Sequence, residues 1–264
     1  MNNLLQVILL GVIEGITEFL PISSTGHLLI AEKLGLGQRS EFFNIVIQAG
    51  AILAVNVIYR QRIWQLLSGI AEPDNRAYVG KLALAFGITA VLGLVVSKLG
   101  FELPDEVTPI AWALIVGGVW IVGAEWLAAR QPARTQVSWL TAGIVGLAQI
   151  VSAIFPGTSR SAATIFAGML SGTSDRKAAT EFAFMVGIPT MYAASGYALL
   201  KQLKHGGVHE NWGDVGIGFV VSMITAFIAV TWLMRYIQTH RFTLFAVYRI
   251  ALGVALLVLL PSGA

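Results

Sequence analysis

The chain has 264 residues, 56% of them hydrophobic and only 12% charged, with a mean hydropathy of +0.76. That leaves too little polar surface for an ordinary soluble domain and makes this an integral membrane protein, a single membrane domain over 1–264. A net charge of +3, carried by short loops between apolar runs, excludes nucleic acid as a partner, and the absence of cysteine excludes disulfides and thiolate metal sites.

In chain order, the first segment, about 4–36, is apolar but interrupted by Glu14, Glu18 and the loop Leu20-Pro21-Ile22-Ser23-Ser24-Thr25-Gly26-His27. It lacks a basic n-region, and the two carboxylates break the apolar stretch, so it does not read as a cleavable signal. Apolar runs follow at 43–59, 80–100 and 107–128. A second interrupted segment, about 137–172, carries Phe155-Pro156-Gly157-Thr158-Ser159-Arg160-Ser161, and three more runs cover 182–200, 215–234 and 244–262. Each uninterrupted run suits a hydrocarbon core of roughly 30 Å. The sequence therefore predicts six spans.

Loop charge orients them. The loops at 60–81, 130–136, 173–181 and 235–243 hold Arg60, Arg62, Arg76, Lys81, Arg130, Arg134, Arg176, Lys177, Arg235 and Arg241 and read as cytoplasmic. The loops at 32–42, 98–107 and 201–214 are poorer in basic residues and read as external. Since 130–136 and 173–181 both lie inside, the segment between them must enter and return. The same parity makes 4–36 enter from outside and return there. The expectation is an all-α polytopic membrane protein with an inverted-topology repeat: six transmembrane helices plus two re-entrant helical hairpins. Repeat one is 1–130 and repeat two 131–264, each a hairpin followed by three spans.

The halves echo one another at an offset of 135, which sets Gly11 on Gly146, Glu14 on Gln149, Pro21 on Pro156 and Ser24 on Ser159. A second echo, Glu41-Phe42 with Glu181-Phe182, lies at an offset of 140 and reads as the start of the span after each hairpin. In the first register the first half keeps Glu14, Glu18 and His27 where the second has Gln149, Ala153 and Ala162. The second keeps Arg160 where the first has Thr25. Neither hairpin is sufficient alone, so one composite site is implied.

Glu14 and Glu18, spaced i, i+4, share a helix face, so either one stays protonated or a divalent cation sits between them. Ser23, Ser24 and Thr25 fall where the return helix should begin, and such a hydroxyl-capped N-terminus favours phosphate. His27 offers a base, nucleophile or acid near neutral pH, and Arg160 a fork for phosphate oxygens. Arg249 and Glu125, near the ends of spans, read as snorkelling; His205, His209 and His240 read as solvated loop residues. Asn44, Gln48 and Asn56 suit either the site or bonds between helices.

Gly15-Ile16-Thr17-Glu18-Phe19-Leu20-Pro21-Ile22-Ser23-Ser24-Thr25-Gly26-His27, preceded by Glu14, with Pro156-Gly157-Thr158-Ser159-Arg160-Ser161, closely resembles the two signature motifs of the bacterial undecaprenyl pyrophosphate phosphatase, or bacitracin-resistance, family. The likeness extends over nearly the whole chain, including Phe245-Ala246-Val247-Tyr248-Arg249. It implies a phosphatase of the bacterial cytoplasmic (inner) membrane that converts the polyprenyl diphosphate carrier of cell-wall polymers to the monophosphate. A divalent cation, Mg or Ca, would assist, and the site would open to the external face. The resemblance makes Glu14 and Glu18 the metal and catalytic pair, and Ser24, His27 and Arg160 catalytic. Ser23, Thr25, Gly26, Gly157, Thr158 and Ser159 become phosphate contacts. The nucleophile stays open between Ser24, His27 and metal-activated water. Two alternatives stand beside this. A type-2 phosphatidic acid phosphatase needs a second histidine shortly after the arginine, where Phe166 stands. A transporter of the polyprenyl phosphate lipid is suggested by the inverted repeat itself. Small-residue helix faces also allow a homodimer.

Overall fold

The computed structural model describes residues 3–99, 106–204 and 211–259, and every element among them is helical. In the first half α1 is Asn3–Thr17, α2 Ser24–Ala31, α3 Glu41–Ser68, α4 Pro73–Lys98 and α5 Val107–Ala128. The second half has α6 Trp139–Ile154, α7 Arg160–Leu170, α8 Arg176–Lys204, α9 Trp212–Thr239 and α10 Thr243–Leu259. A wider π turn, Glu32–Leu36, closes the first hairpin and turns at Gly35, whose φ of 99° favours glycine.

Caps explain where the helices begin. Ser23, Ser40, Ser138 and Ser159 precede α2, α3, α6 and α7, each accepting a backbone N–H of the first turn on its hydroxyl. Pro73 starts α4, where its missing N–H costs nothing, and Asn211 caps α9. Five helices, α3, α4, α5, α8 and α9, are long and apolar enough to cross a membrane; α10, α1 and α6 are shorter apolar helices. The helices outrun the apolar windows. Arg60 and Arg62 lie on α3, Arg76 and Lys81 on α4, and only 69–72 connect the two, because helix propensity continues past the point where hydropathy falls.

The packing comes in matched couples. Helix α1 lies on α9 and α6 lies on α4; α3 meets α8, and α5 meets α10. The glycines of the hairpin helices permit these approaches. A Cβ at Gly11 would stand 2.9 Å from the Gly218 carbonyl, and one at Gly146 2.7 Å from that of Ala85. At each contact a threonine reaches across: Thr225 Oγ1 donates to Gly11 O at 3.4 Å, and Thr89 Oγ1 to Gly146 O at 3.0 Å.

The structure corrects two details of the sequence register. Both caps at the loop tips are serines, Ser23 and Ser159, so the second loop carries one residue more after its helix glycine. Arg160 therefore stands opposite Ser24 rather than Thr25. The helices after the hairpins are capped by Ser40, accepting Phe43 N at 3.1 Å, and by Asp175, accepting Ala178 N at 2.8 Å. Those caps are equivalent, whereas Glu181 lies inside α8, not at its start. The 140-residue echo is thus a coincidence of composition. Residues 100–105 and 205–210, with Glu102, His205 and His209, lie outside the described residues.

Candidate active site

The two hairpins meet at their tips. In the first, Glu18 N bonds Glu14 O at 2.9 Å and extends α1 by a turn before Pro21 ends it. The chain then bends at Ser23, φ 76°, which caps α2 by accepting Gly26 N at 3.3 Å. In the second, Gly157 takes φ 92° and Ser159 φ 71°, and Ser159 caps α7 by accepting Ala162 N at 3.3 Å. Among the described residues Ser23 and Ser159 are the non-glycine residues with positive φ. Each costs about 1–3 kcal/mol and persists only where its surroundings over-determine it. Ser161 Oγ joins the tips, donating to Leu20 O at 3.0 Å.

Between the tips lies a cavity of about 400 Å³ lined by Glu18, Ser23, Ser24, Thr25, Gly157, Ser159 and Arg160 among others. Glu18 is its centre. Its Oε2 accepts the Ser24 hydroxyl at 2.5 Å, and its Oε1 accepts Arg160 Nη2 at 2.9 Å, a charge-assisted bond between residues 142 positions apart. Gln48 Nε2 approaches Oε2 at 3.5 Å and lines the cavity, which answers the sequence's open question in favour of the site. Asn56, by contrast, bonds Tyr192 Oη at 2.6 Å between helices, and Asn44 reaches Glu32 at 3.4 Å. Room for the Arg160 guanidinium comes from Gly187, where a Cβ would stand 2.7 Å from Nη1. Phe19, next to Glu18, packs edge-on against Phe184 at 5.2 Å.

Glu14 lies one turn before Glu18 on the same helix face. It is 1% exposed and does not line the cavity; its Oε1 has no partner. Gln149, at the matching place on α6, lines the cavity; its Nε2 donates to Thr89 at 2.7 Å and its Oε1 is also unpartnered. Glu14 Oε1 and Gln149 Oε1 are thus buried oxygens without a partner, and a hard cation satisfies oxygens of that kind. Among the described residues no third His, Cys, Asp or Glu joins Glu14 and Glu18, so a cation here would complete its shell with neutral oxygens or phosphate, the habit of Mg²⁺ rather than Ca²⁺. The residues fit such a cation.

Of the remaining sequence candidates, Thr25 is exposed at the cavity rim, and Gly26 and Thr158 are placed at the loop tips without lining the cavity. His27 departs most from its expected place. Its Nδ1 meets Ser23 O at 2.6 Å and so carries the proton, and its Nε2 accepts the Tyr248 hydroxyl at 2.6 Å, with the two rings stacked. The imidazole thus faces α10 and is not among the cavity residues. The group within reach of the Ser24 hydroxyl is Glu18.

Arg249 and Glu125 do not snorkel. Arg249 is 0% exposed and donates to five backbone carbonyls, those of Pro21, Ala113, Leu114, Gly157 and Thr158, at 2.9–3.3 Å. Glu125 is buried, accepting Arg176 Nε at 2.8 Å and Phe242 N at 3.0 Å, which docks the start of α10 and the start of α8 onto the end of α5. His240 is exposed, as expected. The only sequence signal for Arg249 was an arginine inside a 17-residue apolar helix.

Residues 7–255 match the family described as bacitracin resistance protein BacA. The undecaprenyl-diphosphatase of Rhizobium etli is 66% identical over 256 residues, covering 97% of this chain and 96% of that protein. The undecaprenyl-diphosphatase of Xanthomonas oryzae pv. oryzae is 60% identical over 265 residues, covering both chains completely.

Proposed function

The chain belongs to the bacitracin-resistance BacA family, and on that premise we propose that its cavity hydrolyses undecaprenyl diphosphate to undecaprenyl phosphate and inorganic phosphate, recycling the carrier lipid. The observation that carries this reading is the Glu18 carboxylate holding Ser24 from one hairpin and Arg160 from the other. A diphosphate entering between the helix N-termini draws Arg160 onto its terminal phosphoryl oxygens. Glu18, relieved of its partner, takes the Ser24 proton as Ser24 Oγ attacks the terminal phosphorus. The bridging P–O bond breaks, the lipid leaves as its monophosphate, and water then cleaves the phosphoserine to release phosphate. Developing charge is met by Arg160 and by the first-turn amides of α2 and α7. His27 holds the Ser23 carbonyl and so fixes the strained turn in front of Ser24.

A divalent cation held by Glu18, whose carboxylate Glu14 backs from outside the cavity, would neutralise charge on the diphosphate. The site lies in the inner membrane and opens outward, with each hairpin re-entrant. Return helices of 8 and 11 residues extend only about 12 and 17 Å, against roughly 30 Å of hydrocarbon. The cation–π pairs Arg130–Trp126 and Lys81–Trp139 lie beside the basic loops, as at a membrane–water interface, and it is the basic residues of those loops that support their cytoplasmic placement. Phe166, fully buried against Phe242, leaves the type-2 phosphatidic acid phosphatase scheme without its second histidine.

Phosphate release by purified protein from undecaprenyl diphosphate in detergent, with and without chelator, tests this. Release that stops on chelation and returns with Mg²⁺ is the expected result; no release with any cation contradicts it.

A further inference from the structure

Arg249 is a buried cation with no carboxylate partner among the described residues, and its hydrogen bonds there all go to carbonyl oxygens. Keeping a guanidinium so deep is costly, and apolar packing would hold α10 on α5 more cheaply. Where its bonds go is informative. Two reach the α5 backbone, at Ala113 and Leu114; three reach the loop tips, at Pro21 of the first hairpin and Gly157 and Thr158 of the second. One side chain thus ties both tips to the same point. Gly117 makes room for it, since a Cβ there would stand 2.8 Å from the guanidinium carbon.

A trans peptide points its C=O and N–H in opposite directions. With the Thr158 carbonyl turned onto Arg249, the amide N–H of Ser159 points away from the guanidinium, and Ser159 itself lines the cavity. The same bond holds the residue preceding the strained φ of 71° at Ser159. A full positive charge behind the carbonyl also polarises the peptide and strengthens its N–H as a donor. Resting on the phosphatase reading above, we propose that Arg249 is a positioning residue for phosphoryl transfer. It locks the two hairpin tips together and aims the Ser159 amide at the transferring phosphoryl group.

The test compares wild type, Arg249→Lys and Gly117→Ala in phosphate release from undecaprenyl diphosphate, with thermal unfolding in detergent measured alongside. Lysine keeps the charge but cannot reach both tips in the fork geometry, while Gly117→Ala keeps the arginine and pushes its guanidinium off the carbonyls. Both should fold and lose about 100-fold in kcat, since small misplacements at a reacting centre cost on that order, while KM for the lipid stays within about threefold. Folded Arg249→Lys or Gly117→Ala with near wild-type kcat overturns the proposal. So does a loss of kcat that tracks the folded fraction and vanishes at lower temperature, and so does failure of both variants to fold, either of which assigns Arg249 to stability alone. If wild type itself releases no phosphate, the phosphatase reading fails instead.

Discussion

A carboxylate between a hydroxyl and a guanidinium can act on both, and Glu18 is so placed. Glu18→Gln keeps the size but can no longer take a proton, so phosphate release should fall by about 10²–10⁴-fold, the usual worth of a general base. A Gln variant within tenfold of wild type would move proton transfer elsewhere. Glu14→Gln should act differently, because Glu14 does not line the cavity. Its Mg²⁺ titration should shift to about 10–100-fold higher concentration with most of kcat recovered at saturation; an unshifted titration would strip Glu14 of its metal role. Ser24→Ala should leave only a slow residual turnover, about 10⁶-fold below wild type, while His27→Asn, which retains a donor for the Ser23 carbonyl, should keep a large part of it. The reverse ranking would make Ser24 a phosphate contact. Much of this site was legible in the sequence, since two acids one turn apart, a hydroxyl-rich turn and an arginine rarely coincide inside apolar sequence. The face of His27 was not legible, because a loop carbonyl and a tyrosine 221 residues away set it. Nor was Arg249, whose partners are all main-chain atoms and leave no mark in side-chain pattern.

The hairpin helices work as elements because glycine lets them sit deep. A Cβ at Gly15 would stand 2.5 Å from the Ser222 carbonyl and 2.8 Å from Ala226 N, so Gly15→Ala should push α1 off α9 and destabilise the protein by about 1–3 kcal/mol. Gly87, with nothing within 4 Å of its missing Cβ, is the control. Gly87→Ala should be neutral or stabilise α4 by up to about 1 kcal/mol through helix propensity. Equal unfolding midpoints for the two variants in detergent would refute this account of the α1–α9 contact. Hydropathy found these helices but not their ends, which are set by Gly69, Pro73 and the serine caps rather than by the loss of apolar residues. The 135-residue echo, in turn, sets the second loop one residue out of register, since the prolines align in sequence while the capping serines align in space.

For the whole molecule, the matched packing of α1 on α9 and of α6 on α4 supports two interlocked halves inserted in opposite senses. A single cysteine at exposed Ala133 should then be shielded from an impermeant thiol reagent outside intact cells, while one at exposed Leu34 should be labelled. The opposite pattern would invert the molecule and turn its cavity to the cytoplasm. Interlocking matters because it brings Ser24 of one half and Arg160 of the other onto a single carboxylate. That is the central claim, and a double-mutant cycle in phosphate release at saturating lipid and Mg²⁺ tests it most directly. Residues that act as one unit lose their function together, so Ser24→Ala with Arg160→Lys should be no slower than the worse single variant, within about threefold. If the two losses instead multiply in full, Ser24 and Arg160 act independently, and the site is not composite.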